Sequence, residues 1–183
     1  MKNYEFTLRV TKSQDASDIR EVETCAFGFA KEADLVDDLL IDETAFPTLS
    51  LMAKHNGKAV GHILFTRVTF QGNSASPLMH LLAPLAVIPE YQGFGVGGFL
   101  INHGIRQLKE IGCLRVFVLG HAGYYPRHGF EPDAGSKGYH APYFIPEHLK
   151  DCWMTQGLSA NPFNAKGNIQ CAQALMRPEH WRE

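Results

Sequence analysis

An α+β fold is what this sequence predicts, on three observations. The chain has 183 residues, of which 45% are hydrophobic and 20% charged, enough to build one ordinary core. Asn56-Gly57 between two apolar stretches is a strong hairpin signal. A strand–loop–helix–strand unit spans residues 80 to 119, and helical spacing dominates the segments before the hairpin.

The elements follow in order. "YEFTLRV", residues 4–10, alternates and reads as a first strand. Ser13 or Asp15 can cap a helix running through Phe27, with Ile19, Val22 and Ala26 on one face. Residues 31–41 place Leu35, Leu39 and Leu40 at helical spacing. Residues 49–70 form the hairpin about Asn56-Gly57. "HLLAPLAVI", residues 80–88, is apolar enough for a strand buried on both faces. From Gly97 to Ile111, the residues Leu100, Ile101, Ile105, Leu108 and Ile111 repeat as on a helix, and Gly112 sits where a C-terminal cap belongs. "RVFVLG" is a further strand, "AGYYPRHGF" a short turn or helix, and "CWMTQGL" a last strand. The tail "NIQCAQALMRPEHWRE" has no decisive period. No repeat, low-complexity run or linker interrupts the chain.

Charge and composition exclude several classes. The net charge of -2 argues against non-specific nucleic-acid binding. No apolar run approaches the roughly 20 residues that span a bilayer, and "MKNYEFTLRV" lacks the apolar centre of a signal peptide. The four cysteines, Cys25, Cys113, Cys152 and Cys171, form no C-x-x-C pair, which suits reduced thiols and a cytoplasmic protein. The histidines show no paired ligand spacing, so no metal site is expected.

The chemistry concentrates in "VIPEYQGFGVGGFL", residues 87–100. Gly93-Phe94-Gly95-Val96-Gly97-Gly98 satisfies G-x-G-x-x-G. Successive amides entering a helix make an anion site, and glycines let that backbone approach a phosphate. A nicotinamide-binding turn would follow its strand directly and find an acidic residue at the end of the next strand. Here Pro89 to Gln92 intervene, and "RVFVLGH" ends without a carboxylate. A phosphate cradle of another kind, or a glycine-rich helix entry with no ligand, remains.

The surrounding residues sharpen the choice. "PLAVIPEYQGFGVGGFLI" resembles motif A of the GNAT superfamily, the acetyl-CoA-dependent N-acetyltransferases, in Gln92-x-x-Gly95-x-Gly97 with Val87 and Pro89 in register. "LGHAGYYPRHGF" resembles the family's motif B, in Tyr125, Gly129 and Phe130. The Leu-Gly-x-x-x-Tyr-Tyr run is similar to that of a bacterial subgroup of small acetyltransferases. The resemblance implies the GNAT fold, a mixed central sheet of about seven strands flanked by helices. It covers residues 1–160, leaving 161–183 as an extension that packs on the domain or on a partner subunit.

The resemblance further implies acetyl-CoA as cosubstrate and no metal. Leu85, Ala86 and Val87 would pair with pantetheine. The amides of Gln92, Gly93, Phe94, Gly95, Val96 and Gly97 would bind the pyrophosphate, with Gly98 opening the helix. Phe94 stands where relatives often carry Lys or Arg. A lost charge-assisted contact is worth roughly 1.5–3 kcal/mol, so weaker CoA binding is expected unless Arg127 or Lys137 compensates. Tyr125 takes the place of the usual acid, which protonates the leaving thiolate, with Tyr124 as the alternative. The base is missing: Leu81 occupies the position where some relatives carry Glu, and His80 points to the other face. A water-relayed base, or an amine that arrives neutral, is expected. His121 reads as a loop histidine.

The acceptor would meet residues 27–38 and roughly 131–155. Glu32, Asp34, Asp37 and Asp38 favour a cationic amine if they are more than a solvated helix face. Phe27, Phe29, Tyr139, Tyr143 and Phe144 are wall or core. The implied activity is acetyl transfer to a primary amine of a small molecule or peptide, with no nucleic-acid or membrane partner and a homodimer as an option. A non-catalytic acyl-CoA-binding module on the same fold is the alternative.

Overall fold

Asn56 and Gly57 take positive φ angles of 49° and 82°, and two consecutive left-handed residues turn the chain with the twist that antiparallel strands need. The hairpin they close is the middle of the molecule. The computed structural model describes residues 5–73, 75–160 and 164–181. In chain order these form β1 (Thr7–Val10), α1 (Ala16–Phe27), α2 (Lys31–Ile41), β2 (Leu49–His55), β3 (Lys58–Phe70) and β4 (Met79–Val87). Then come α3 (Val96–Glu110), β5 (Arg115–Leu119), β6 (Tyr139–His140), β7 (Trp153–Gly157) and β8 (Gly167–Gln170). Tyr4, read as the start of β1, lies outside the described residues, as do residues 161–163, which follow the boundary drawn at 160.

The sheet has eight strands, six of them in the order β1-β2-β3-β4-β5-β7. Only β4 and β5 in that path run parallel, and α3 joins them. The strands not foreseen are β6 and β8, two and four residues long. Segments so short carry no period to read.

Helices cover both faces, so the inner strands are apolar on alternate residues both ways. Leu64 and Val68 of β3 and Phe117 of β5 pack with Val36 and Leu39 of α2. Ile63, Phe65, Val116 and Val118 pack with Leu100, Ile101 and Leu108 of α3. Asp15 does sit at the N-cap of α1, but its carboxylate bonds no helix amide. It accepts instead from the Lys12 N–H at 2.8 Å and from Arg9 of β1 at 2.7 Å. Arg9 above all holds it at about 2.

The described part of the tail packs on the same domain. Ile169 and Gln170 pair with the end of β3. Asp42, just after α2, accepts the Ala174 N–H at 2.9 Å. Trp181 is buried, donates its indole N–H to the Leu175 carbonyl at 2.8 Å, and stands edge-on to Trp153.

Candidate active site

β4 has two neighbours at its start and one at its end. It pairs with β5 only from Met79 to Leu82, opposite Arg115 to Val118. Against β3, Leu82 faces Phe65 and Leu85 faces Ile63, so Ala83 and Pro84 stand opposite the single residue Leu64. This is a bulge on β4, and it coincides with the end of the β5 pairing. Beyond it, Leu85, Ala86 and Val87 keep β3 on one edge and have an opening on the other.

The loop after β4 is shaped by its own bonds. A single turn, Pro89–Tyr91, leads to Gln92, whose side-chain amide donates to the Val87 carbonyl at 2.9 Å. Gly93 and Gly95 follow at φ 78° and 87°. A Cβ at either would meet nothing within 4 Å, so both present bare backbone to open space. Gly95 caps α3, whose first turn contains no acidic residue. The first amides of a helix have no partner inside it and favour an anion.

That backbone lines a cavity of about 470 Å³. Leu85, Val87, Gln92, Gly93, Gly95, Val96, Gly97 and Gly98 all border it, together with Tyr124, Arg127 and His128. Two residues grouped with them by sequence do not: the Ala86 side chain is buried in the core, and the Phe94 ring is 49% exposed. Gly97 and Gly98 have a second use. A Cβ on Gly97 would strike the Tyr124 hydroxyl, and one on Gly98 would come within 2.8 Å of the His128 ring. The glycine pair is therefore also the flat surface on which the Tyr125–His128 turn rests.

Arg127 supplies the cation that Phe94 does not. It borders the same cavity, donates from Nε to the Gly123 carbonyl at 3.0 Å, and lies 5.6 Å from the Tyr124 ring centre. No carboxylate pairs with it among the described residues. Lys137 sits elsewhere, 3.6 Å from Glu131. The two tyrosines part company. Tyr124 is on the cavity wall, and burial pushes its phenol up, against the pull of Arg127. Tyr125 is half-buried against Gly120, at the end of β5. A Cβ there would come within 2.5 Å of the Tyr125 ring. Phe130 stands edge-on to its other side.

His80 is wholly buried. Its Nε2–H donates to the Pro47 carbonyl at 2.9 Å and Nδ1 lies 3.3 Å from Cys113 Sγ. Burial lowers it to about 4. His121 accepts the Gly123 N–H, as a turn residue does. Of the acidic helix, Asp34 and Asp37 are both bonded to Arg20 at 2.6 Å. Glu32 keeps a buried Oε2 with no partner. Tyr139 is core, Tyr143 donates to the Met176 carbonyl, and Phe144 is 85% exposed. His140, Tyr143, Phe144 and Trp153 border a broader hollow on the β6–β8 side.

A small cavity of about 130 Å³ lies where β4 and β5 part. Leu81, Leu82 and Ala83 of β4 and Leu119 of β5 wall it, and Leu175, His180 and Trp181 of the tail close it. Nothing in the sequence pointed to His180, because only the fold carries the tail back to β4.

Among the described residues no helix is long and apolar enough to cross a membrane, and no group of three His, Cys, Asp or Glu side chains could hold a metal.

Residues 16–130 match the model of the acetyltransferase (GNAT) family. The chain is 67% identical over 172 residues to the uncharacterized N-acetyltransferase YjhQ of Escherichia coli K12, covering 94% of this chain and 95% of that one. It is 36% identical over 125 residues to the uncharacterized N-acetyltransferase YhbS of the same strain, covering 68% and 72%. The crystal structure of E. coli YhbS in complex with CoA superposes with a TM-score of 0.83 at 26% identity, covering 97% and 95%. A GNAT acetyltransferase of Brucella melitensis in complex with acetyl-CoA gives 0.74 at 30% identity, covering 94% and 99%.

Proposed function

The chain belongs to the acetyltransferase (GNAT) family of N-acetyltransferases, and on that premise we propose direct acetyl transfer from acetyl-CoA to a primary amine, with the roles that follow. The observation that carries the proposal is one shared cavity. Bare amides at Gly93 and Gly95, the open first turn of α3 and the Arg127 guanidinium all border it. An oligophosphate needs both kinds of donor, and these residues fit it. Among the described residues no second strand pairs Leu85 to Val87, and they offer an edge along which an extended amide chain can lie.

Bound there, acetyl-CoA supplies an activated acetyl thioester. The chain's own residues do the rest. The glycine loop and Arg127 hold the phosphates. Tyr125, beside Gly120 at the parting of β4 and β5, donates a proton to the leaving sulfur. A phenolic O–H is a hydrogen-bond and proton donor of the kind that step needs. Tyr124, over Gly97 at the phosphate end, shapes the wall. A second reading gives Tyr124 the acid role, favoured by its place on the cavity surface. The non-catalytic alternative draws on Leu81, which puts no carboxylate on β4 near the opening. A homodimer and a cytoplasmic location complete the proposal, to be checked by sedimentation and fractionation.

Calorimetric titration with acetyl-CoA, CoA and NADH tests the cradle, followed by thiol release against an amine panel. Acetyl-CoA binding without NADH binding supports the site, and an amine that releases CoA supports the activity. Binding with no turnover by any amine favours the non-catalytic module.

A further inference from the structure

We infer that His180, carried to the end of β4 by the C-terminal segment, takes a proton from the acceptor amine, and that Glu32 attracts that amine as a compact cation. The inference rests on the N-acetyltransferase reading and supplies the base that β4 lacks.

Position comes first. The small cavity occupies the point where β4 leaves β5, bounded by Leu81 to Ala83 and by Leu119. Tyr125 rests on Gly120, the residue after Leu119. A reacting carbonyl delivered along Leu85 to Val87 toward the bulge would therefore meet Tyr125 and this cavity. The walls from β4, β5 and Leu175 are apolar, and His180 is the titratable side chain that borders the cavity.

Bonding comes second. His180 Nε2 is buried and has no hydrogen-bond partner, and so is Glu32 Oε2. Buried polar atoms are normally paired, so an unpaired ring nitrogen on the cavity wall and an unpaired carboxylate oxygen within electrostatic reach of that ring mark a site for a donor. An alkylammonium is such a donor, with several N–H groups. Charge agrees. Glu32 of α2 lies within electrostatic reach of both His180 and Glu23 of α1. Glu23 is wholly buried, with one oxygen 2.5 Å from His62 Nδ1 and the other unpaired. The charged groups that act on His180 are Glu179 and Arg177 from its own turn and Lys31 and Glu32 from α2. Burial lowers the imidazole below its ordinary value, with Lys31 and Arg177 adding to that and the two glutamates opposing it. It is thus neutral and able to accept at physiological pH.

The protons balance. The ammonium gives one proton to His180 Nε2. The amine nitrogen then forms the C–N bond as the C–S bond breaks. Tyr125 gives its proton to sulfur and recovers one from the acylated nitrogen. The proton on His180 leaves to water.

The test uses the full-length protein with saturating acetyl-CoA and two probes of similar size. Ethylamine is charged at neutral pH and trifluoroethylamine is not. His180→Gln should lower kcat/KM for ethylamine about 100-fold, and change that for trifluoroethylamine by about threefold or less, with acetyl-CoA affinity kept. Glu32→Gln should raise KM for ethylamine alone by about tenfold. In protein with isotopically labelled histidine, the ring signal missing from His180→Gln should shift when ethylamine is added. That readout needs no turnover. Equal losses for both probes, an unchanged variant, a signal blind to ethylamine, or a wild type that binds acetyl-CoA yet acetylates neither amine would overturn the inference. If wild type does not bind acetyl-CoA at all, the glycine-loop reading fails first and this inference falls with it.

Discussion

At the glycine-loop end of the opening, the cavity of about 470 Å³ is built from two short stretches, residues 85–98 and 124–128. At the tail end, a cavity of about 130 Å³ draws on residues 81–83, 119, 175, 180 and 181. The first presents backbone amides and one cation to solvent. The second presents apolar walls and one buried ring nitrogen, His180 Nε2, with nothing bonded to it. The difference suits two recognition problems. A large anion common to every turnover can be held by backbone, which side-chain changes leave in place. An acceptor that must be chosen has to be met by side chains, in a space small enough to refuse the wrong one.

Tyr125 sits between the two ends, so its removal should have the largest effect on turnover. Tyr125→Phe should lower kcat about 100-fold or more with acetyl-CoA affinity unchanged. Tyr124→Phe, at the phosphate end, should change kcat by about threefold or less. Steady-state kinetics beside calorimetry separates the two. A large loss in Tyr124→Phe alone would transfer the acid role to Tyr124.

The next effect belongs wholly to the phosphate end. Arg127→Ala should weaken acetyl-CoA binding by about tenfold to 100-fold, corresponding to roughly 1.5–3 kcal/mol for a charge-assisted contact. The loss should shrink at high salt. Lys137→Ala, whose partner is Glu131, should bind as wild type does. Equal weakening in both would mean that only net charge matters.

The same contrast explains what could be read from the residues alone. The hairpin at Asn56-Gly57, the helix after Gly95 and the glycine loop obey local rules, because φ sign, turn type and helix entry depend on neighbours in sequence. The sequence assigns the Gly97 amide to the phosphates and Gly98 to the opening of the helix, and both border the cavity. Their contacts with Tyr124 and His128 depend on a turn some 30 residues on, which no local rule foresees. Arg127 and Lys137 looked equivalent as compensating cations, and only the fold puts one in the cavity. The tail was opaque because its pieces are four residues or fewer in length. Its place is fixed by Trp181 against Trp153 and by Asp42 bonding the Ala174 amide.

Gly95 tests whether the loop acts through backbone shape. Its φ of 87° is disfavoured for any residue with a Cβ, at a cost of about 1–2 kcal/mol. Gly95→Ala should therefore lose about that much stability in urea unfolding. Its new methyl meets no protein atom within 4 Å, so it projects where the phosphates would lie, and acetyl-CoA binding should weaken several-fold. Weakened stability with intact binding would mean that the phosphates lie elsewhere along α3.

The smallest expected effect on turnover is at His80, and its value lies in being small. His80 is adjacent to Leu81 in sequence, but its ring is held between Pro47 and Cys113 and away from the opening. His80→Gln should change kcat by about twofold or less. Its signature is in stability. Folded His80 titrates at about 4 against 6.5 for a free imidazole. Above the free value neither state holds the proton, and the contribution is fully present. As pH falls from there toward 4, the unfolded chain binds a proton that the native one refuses, and stability is lost. Across the full window this amounts to on the order of 3 kcal/mol. Urea unfolding at neutral and mildly acid pH should show that slope in wild type and a shallower one in His80→Gln. A large fall in kcat with the slope unchanged would place His80 in the chemistry, and it would remove the need for a base from the tail.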